Sequence, residues 1–259
     1  MIGIYDSGLG GLSVLKEMIA LPIEGDYLYF ADSRHCPYGL KTNRFILTRA
    51  KKISRFLISQ GADMIVVACN TATAAAISTL RETFPIPFVG MEPAIKPAIL
   101  NTRSGVVGVL ATAVTFTGAL YHRTLAQYTA AQGDVKVIQQ VGYGLVEAVE
   151  QGRIHSEETI ALLHSYIDPM LAAGADHIVL GCTHYPFLTE EIEKITAGRA
   201  KVVNPAPAVA RQAEKIYQET PRSSGNWQFF TSGKFSPAAA ATIEGICGGH
   251  DYCLKENIL

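Results

Sequence analysis

Residues 64–76 read MIVVACNTATAAA, and this stretch decides the fold class. Its first five residues are apolar without interruption, and small and polar residues then begin a helical pattern. A strand in a half-buried sheet alternates apolar and polar side chains, whereas a strand covered on both faces is apolar throughout. The stretch therefore predicts a parallel strand buried between two layers of helices, with a helix directly after it.

The same unit, an apolar run followed by an amphipathic segment, recurs along most of the chain. Predicted strands cover residues 2–5, 27–31, 64–68, 88–90, 105–111, 135–139, 178–181, 201–203 and 227–230. Predicted helices run from the turn at 6–11 to about 20, over 46–57 with Gly61 closing it, and over 72–84, 116–130, 157–173, 186–196, 207–219 and 237–246. Strands that alternate with helices form mostly parallel sheets covered by helices, so the expected fold class is α/β.

Two proline-containing breaks divide the chain into two similar lobes. One break lies at residues 92–93 and the other at residues 204–207, which read NPAP. We expect lobe one to comprise residues 1–93 plus 207–259, and lobe two to comprise residues 94–206. The 259 residues are enough for two cores of this kind.

Composition and charge argue against several classes of function. Hydrophobic residues make up 48% of the chain and charged residues 17%, with a formal net charge of −1. Such a chain offers no basic surface for nucleic acid and no polybasic patch for a membrane, and its apolar runs are too short to span a bilayer. The N-terminus lacks the features of a signal peptide, so we expect a cytoplasmic protein.

The five cysteines are expected to be free thiols. They lie at positions 36, 69, 182, 247 and 253, with no CxxC pair and no cluster at zinc-ligand spacing. An odd number of cysteines in a reducing compartment argues against a disulfide framework, and we expect no metal site. Because a free cysteine most often packs as a small buried hydrophobe, a functional role requires an informative context.

Two of the cysteines share such a context. Residues 66–71 (VVACNT) and 179–184 (VLGCTH) each end an apolar strand with a small residue, then a cysteine, then hydrogen-bonding side chains. Ligands of parallel α/β sheets bind beyond the carboxyl ends of strands, where both cysteines fall. We expect Asn70 or Thr71 to cap the first following helix and Thr183 the second. The helix amides would then bind a carboxylate and bias both thiols toward thiolate.

Two ionisable side chains are predicted close to these thiols. Residues 6–11 (DSGLGG) form a Gly-rich turn after the first strand, but the glycines do not match the GxGxxG pattern of dinucleotide sites. Asp6 is expected either to cap the next helix or to orient or accept a cysteine proton. His184 lies two residues from Cys182 and suits proton exchange with a thiol. A structural histidine, or the partner of a nucleophilic thiol in acyl transfer, fits the same residues.

Four segments together resemble the motif set of the glutamate racemases, a family of the aspartate/glutamate racemase superfamily. They are residues 6–12 (DSGLGGL), 37–39 (PYG), 68–73 (ACNTAT) and 181–186 (GCTHYP), in order and at suitable spacings over nearly the whole chain. The resemblance implies two α/β lobes with the active site in the cleft between them and one catalytic cysteine from each. It also implies racemisation without pyridoxal phosphate, metal or any other cofactor.

The resemblance further implies a role for each residue of the site. Cys69 with Asp6 beside it would act on D-glutamate, and Cys182 with His184 beside it on L-glutamate. These four are the catalytic candidates. The substrate-binding candidates are Ser7, Pro37, Tyr38, Gly39, Asn70, Thr71, Thr112, Thr115, Glu147 and Thr183. Among these, Glu147 is also expected to support His184.

The resemblance also implies a biological role. D-glutamate would be supplied for peptidoglycan, and therefore for cell-wall biogenesis and cell shape. We expect glutamate as the binding partner, no nucleic acid, no membrane, and a homodimer. The chain begins almost at its first strand, without the N-terminal extension that accompanies activation by a cell-wall precursor in some relatives. We therefore expect no such activation.

Three alternatives stay open. An aspartate or related racemase of the same superfamily would share most of the motifs, although Thr73 and His184 resemble the glutamate branch. A hydrolase with a cysteine nucleophile would use one thiol and leave the second idle, whereas inversion of a stereocentre needs a base on each face. A non-catalytic two-lobe protein that binds a small molecule would have no need of paired thiols.

Overall fold

The computed structural model describes residues 1–21, 23, 25–133, 135–217 and 227–259, and within them the strands form two sheets. The first sheet contains β1 (Ile2–Asp6), β2 (Tyr27–Ala31), β3 (Met64–Val67), β4 (Phe88–Gly90), β9 (Trp227–Thr231) and β10 (Tyr252–Lys255), in the order β10–β9–β2–β1–β3–β4. The second contains β5 (Val106–Ala111), β6 (Lys136–Val141), β7 (His177–Gly181) and β8 (Lys201–Val203), in the order β6–β5–β7–β8. Every strand pairing in the described residues is parallel. The α/β fold class is confirmed.

Helices cover both faces of the sheets. They are α1 (Leu12–Ile19), α2 (Asn43–Ser59), α3 (Asn70–Thr83), α4 (Ile95–Asn101), α5 (Ala113–Thr117), α6 (Ala119–Gln132), α7 (Leu145–Glu150), α8 (Glu157–Ala172), α9 (Thr189–Thr196), α10 (Ala206–Ile216) and α11 (Pro237–Cys247). Short 3-10 helices cover Ser33–His35, Tyr38–Leu40 and Tyr185–Leu188. Along the described parts of the chain, no helix is both long and apolar enough to cross a membrane.

Several predicted boundaries differ from the structure. The helix predicted over 116–130 is two helices, α5 and α6, because Gly118 between them has extended backbone and packs closely on Ala74. The helix predicted over 186–196 begins instead as the 3-10 helix before α9. The helix predicted to about 219 ends at Ile216, and residues 218 and 219 lie outside the described part. The short elements α4, α7 and β10 were not predicted.

The chain visits the two sheets in three passages. It builds β1 to β4 of the first sheet, then all of the second sheet, and returns through α10 to add β9 and β10 to the first. After the return, α10 packs against α1 of the first passage. Buried side chains such as Ile4 of β1, Leu110 of β5 and Leu180 of β7 belong to one apolar cluster that joins the two sheets.

A buried carboxylate holds the loop that follows β2. Asp32 is fully buried and accepts hydrogen bonds from Arg49 Nε at 2.9 Å and Nη2 at 2.7 Å. The Tyr38 hydroxyl donates to the same carboxylate, and His35 Nδ1 lies 3.0 Å from it. Burial favours a higher pKa for Asp32, but these hydrogen bonds outweigh it and hold the pKa below its usual range. The network fixes the loop at residues 33–40 against helix α2.

We expect Arg49→Met to lower the free energy of unfolding by about 3–5 kcal/mol at pH 7, because it leaves a buried charge without its partner. The depressed pKa of Asp32 provides stability that is present above its unfolded value of about 3.9 and lost as the pH falls through the folded value. The deficit of the variant should therefore persist from pH 7 down to about pH 4 and shrink as the pH falls further. Urea unfolding at several pH values measures both effects.

The control for this experiment is Arg153→Met. Arg153 is exposed and pairs with the exposed Glu158 at 2.6 Å, so its replacement should cost no more than about 1 kcal/mol. Equal stability of the two variants at pH 7 would contradict the structural role of the buried pair.

Candidate active site

The carboxyl ends of β1, β3, β5 and β7 face a narrow cavity between the two sheets. Of the candidate residues, Ser7, Pro37, Tyr38, Gly39, Cys69, Asn70, Thr71, Thr112, Cys182, Thr183 and His184 line it, together with Val146. Both thiols therefore open into one space, each at the end of a strand from a different sheet. Asp6 and Thr115 lie behind this lining, and Glu147 lines a neighbouring cavity beside Tyr143.

Cys69 is itself the N-cap of α3. Its buried Sγ accepts a hydrogen bond from the backbone N–H of Ala72 at 3.4 Å, and Ser7 Oγ lies 4.0 Å away. The expectation that Asn70 or Thr71 caps this helix is thus wrong. Burial, followed by the charge of Asp6, raises the pKa of Cys69, and the Ala72 N–H only partly offsets them. The expected bias toward thiolate is therefore wrong for this cysteine.

Asp6 connects the ends of two strands instead of capping α1. The N-cap residue of α1 is Gly11, and no side-chain hydrogen bond caps this end of the helix. Asp6 Oδ2 accepts from the N–H of Gly8 at 3.0 Å, and Oδ1 accepts from the hydroxyl of Thr183 at 3.0 Å. The prediction that the Thr183 side chain caps the segment after β7 is therefore wrong. The hydrogen bond between Asp6 and Thr183, which joins the two lobes, takes the place of the helix caps predicted for these two residues.

On the other side of the cavity, His184 links a thiol to a carboxylate. Its Nδ1 lies 3.8 Å from Cys182 Sγ, and its Nε2 lies 2.6 Å from Glu150 Oε1. Glu150 also accepts from the backbone N–H of Leu9 at 2.7 Å. The expectation that Glu147 supports His184 is wrong, since Glu150, one turn further along α7, makes this contact. The only sequence signal for the contact between Glu150 and His184 was the presence of two glutamates three residues apart, Glu147 and Glu150.

The protonation of this pair follows from its contacts. Burial would lower the pKa of His184, but Cys182, Cys36 and the Glu150 carboxylate together raise it well above its usual value. For Glu150, burial favours a higher pKa, and the His184 imidazole outweighs burial and lowers it. At neutral pH the pair is therefore an imidazolium and a carboxylate. The sulfur of Cys182 therefore lies beside a positively charged group.

Hydroxyl groups connect the two lobes on the Cys69 side. Thr71 Oγ1 and Thr112 Oγ1 are 2.9 Å apart, and Thr112 Oγ1 is also 2.9 Å from Thr115 Oγ1. Thr115 is buried and reaches the cavity only through this chain. The side-chain oxygen of Asn70 is buried and, among the described residues, has no hydrogen-bond partner. The site thus offers one acceptor and several hydroxyls to a polar ligand.

Close packing across the cavity depends on a glycine in the first turn. A Cβ atom on Gly10 would fall 2.3 Å from His184 Nδ1 and 2.7 Å from Thr183 Oγ1. The Gly-rich turn therefore allows the segment after β7 to approach β1.

A third thiol, Cys36, also reaches this region, with Sγ 3.7 Å from Glu150 Oε1. Cys36 is not among the candidate residues that the sequence indicated.

Comparison with known proteins agrees with this arrangement. Residues 16–213 match the Asp/Glu/Hydantoin racemase family. A glutamate racemase of Herpetosiphon aurantiacus is 45% identical over 247 residues, which cover 93% of this chain and 95% of that protein. A glutamate racemase of Roseiflexus sp. is 49% identical over 219 residues, covering 84% of this chain and 79% of that protein.

Solved structures show the same similarity. Escherichia coli glutamate racemase, in complex with L-glutamate and the activator UDP-MurNAc-ala, has a TM-score of 0.85 at 30% identity, with 98% of this chain and 97% of that chain covered. The glutamate racemase of Aquifex pyrophilus has a TM-score of 0.78 at 32% identity, with 99% and 98% covered. Picrophilus torridus aspartate racemase, at 18% identity, shares the fold alone. The chain belongs to the Asp/Glu/hydantoin racemase family and, within it, to the glutamate racemases.

Proposed function

We propose that this racemase interconverts L-glutamate and D-glutamate without a cofactor, with Cys69 and Cys182 as its two bases. The observation that carries the proposal is the placement of two thiols in one cavity, each with its own ionisable neighbour. Asp6 lies on the Cys69 side, and the His184–Glu150 pair lies on the Cys182 side. The relatives named glutamate racemase support the choice of substrate.

Inversion at the α-carbon needs proton removal on one face and proton delivery on the other. In the L-to-D direction Cys182, as the thiolate, takes the α-proton, and the protonated thiol of Cys69 donates its proton to the opposite face. Burial keeps the pKa of Cys69 high, so this thiol rests protonated and can act as the donor. In the reverse direction the thiols exchange roles, with Asp6 beside Cys69 and His184 beside Cys182.

The α-proton of an amino acid is very weakly acidic, so the site must stabilise the carbanion that forms. The unpaired oxygen of Asn70 suits the substrate ammonium group. The N-terminal amides of α3 and the hydroxyls of Ser7 and Thr71 suit a carboxylate. These groups are held by the fold before substrate binds, which limits the reorganisation needed during proton transfer.

The alternatives explain less of this geometry. A cysteine hydrolase would need one thiol and one base, and would leave either Cys69 with Asp6 or Cys182 with His184 unused. A binding protein would need neither ionisable partner. An aspartate racemase would use the same two bases, so glutamate and aspartate must be assayed side by side.

The remaining expectations concern the whole protein. We propose that lobe one comprises residues 1–93 plus 207–259 and lobe two residues 94–206, which is supported by the division of strands between the two sheets. The supply of D-glutamate for peptidoglycan follows from the proposed reaction. A cytoplasmic location and a homodimer stay predictions.

We expect Cys69→Ala and Cys182→Ala each to abolish racemisation of glutamate, because each removes the base on one face. The decay of optical rotation of L-glutamate, without added cofactor and in the presence of a chelator, measures this. Cys253→Ser is the control, since that thiol lies on the edge strand β10, and it should retain wild-type activity. Racemisation at the wild-type rate in either alanine variant would disprove the two-base mechanism.

The division of labour between the thiols needs a different assay. L- and D-glutamate have an equilibrium constant of one, so the ratio of kcat/KM in the two directions is the same for every variant. A glutamate analogue with a leaving group on the β-carbon avoids this limit, because its elimination needs proton removal on one face only. The α-proton leaves to a thiolate, and the leaving group departs with its bonding electrons as the double bond forms.

We expect the Cys69 variant to retain elimination from the L-analogue, and the Cys182 variant to retain elimination from the D-analogue. His184→Asn should slow mainly the L-reaction and Asp6→Asn mainly the D-reaction, each by about 100-fold if they assist proton transfer. Equal elimination of both enantiomers by each single-cysteine variant would contradict the facing-base geometry. A reversed preference would contradict only the assignment of faces.

We measure the rate of elimination from the L-analogue as a function of pH. We expect Glu150→Gln to move the alkaline limb of this pH–rate profile to lower pH by about 1–2 units. The variant removes the carboxylate that raises the pKa of His184, so the imidazolium loses its proton earlier as pH rises. Glu147→Gln, one turn away on α7, should leave that limb in place. An unchanged pH profile in Glu150→Gln would show that Glu150 does not set the charge of His184.

A further inference from the structure

Cys36 is a thiol that the proposed reaction does not use, and it lies against the His184–Glu150 pair. Its Sγ is 3.7 Å from Glu150 Oε1, and His184 Nε2 is 2.6 Å from the same oxygen. One ligand atom from each of the three residues lies within 4.8 Å of the other two. His184 is buried and the other two are half-buried. Three different donor atoms therefore converge in a sheltered corner of the cleft.

A thiolate, an imidazole nitrogen and a carboxylate oxygen are ligands that Zn²⁺ prefers in proteins. Zinc bonds of about 2.0–2.3 Å at tetrahedral angles place two ligand atoms about 3.3–3.8 Å apart. The separation of the sulfur of Cys36 from the oxygen of Glu150 already falls in this range. The contact between His184 and Glu150 must lengthen by about 0.7 Å to admit the ion. Mg²⁺ and Ca²⁺ prefer all-oxygen sites and do not suit this set.

We propose that Cys36, Glu150 and His184 form an inhibitory site for Zn²⁺ at the edge of the active site. The ion would replace the hydrogen bond between Nε2 of the imidazole and Glu150, so that His184 could no longer form an imidazolium beside Cys182. It would also join the loop after β2 to α7 and to the segment after β7, tying the lobes together. Binding of the metal is independent of the proposed function, whereas its effect on the reaction rests on that function.

A second cavity reaches one of the three proposed ligands, Glu150. Its volume is about 270 Å³, and it shares no lining residue with the cavity that holds the two thiols. Arg34 and Lys234 also line that cavity, so their charges oppose a cation there. Affinity must therefore come from the ligands themselves, above all from the thiol. This makes the site selective for a metal that binds sulfur.

Direct binding tests the site without relying on catalysis. Competition with a chromogenic chelator measures Zn²⁺ affinity for the wild type, Cys36→Ser, Cys36→Ala and the control Cys253→Ser. We expect one ion per chain in the wild type and the control, and affinity lower by at least about 10-fold in both Cys36 variants. Co²⁺ should give a thiolate charge-transfer absorption band in the wild type and the control that both Cys36 variants lack.

The second measurement is activity. Zn²⁺ should inhibit glutamate racemisation by the wild type, a chelator should reverse the inhibition, and each Cys36 variant should resist it relative to its own activity without the metal. Cys182 Sγ is 3.8 Å from His184 Nδ1, so an ion bound there is the main competing site. Undiminished Zn²⁺ affinity in both Cys36 variants, or no binding by the wild type, would overturn the proposal. Binding through Cys36 in a chain that does not racemise glutamate would overturn the proposed function and confirm the metal site.

Discussion

The arrangement of the site depends on the hydrogen bonds that the buried carboxylate of Asp6 accepts. It accepts one hydrogen bond from the turn after β1 and one from Thr183 after β7. A buried charge without such partners is costly, so the ends of these two strands are held side by side. The neighbouring strand β3 ends just before Cys69, which lines the same cavity as Cys182. One anion thus joins the lobes and brings the two thiols into a common cavity.

The part of the structure that could be predicted from sequence is the part that local patterns determine. Uninterrupted apolar runs such as residues 64–68 identify buried parallel strands, and the cysteines at their ends follow from the rule that ligands bind there. For this reason most of the candidate residues line one cavity. Both sheets and the α/β class follow from the same periodicity.

The errors arose where partners distant in sequence decide the outcome. Thr183 has the right position to cap a helix, but Asp6, 177 residues away, takes its hydroxyl. Glu147 and Glu150 cannot be distinguished by pattern, because α7 has only six residues and shows too little periodicity to orient them. The place of Cys36 depends on a loop held by Asp32 and Arg49. No spacing along the chain encodes these contacts.

Cys69 accepts the hydrogen bond that begins α3, and this has a consequence for the helix itself. A thiolate is a stronger acceptor than a thiol, so the strength of the contact from the Ala72 N–H follows the charge on the sulfur. A thiol that caps a helix therefore transmits its protonation state to the backbone. The first turn of α3 would tighten and relax once in each catalytic cycle. In the proposed reaction, each proton that Cys69 gains or loses would therefore change the first hydrogen bond of α3.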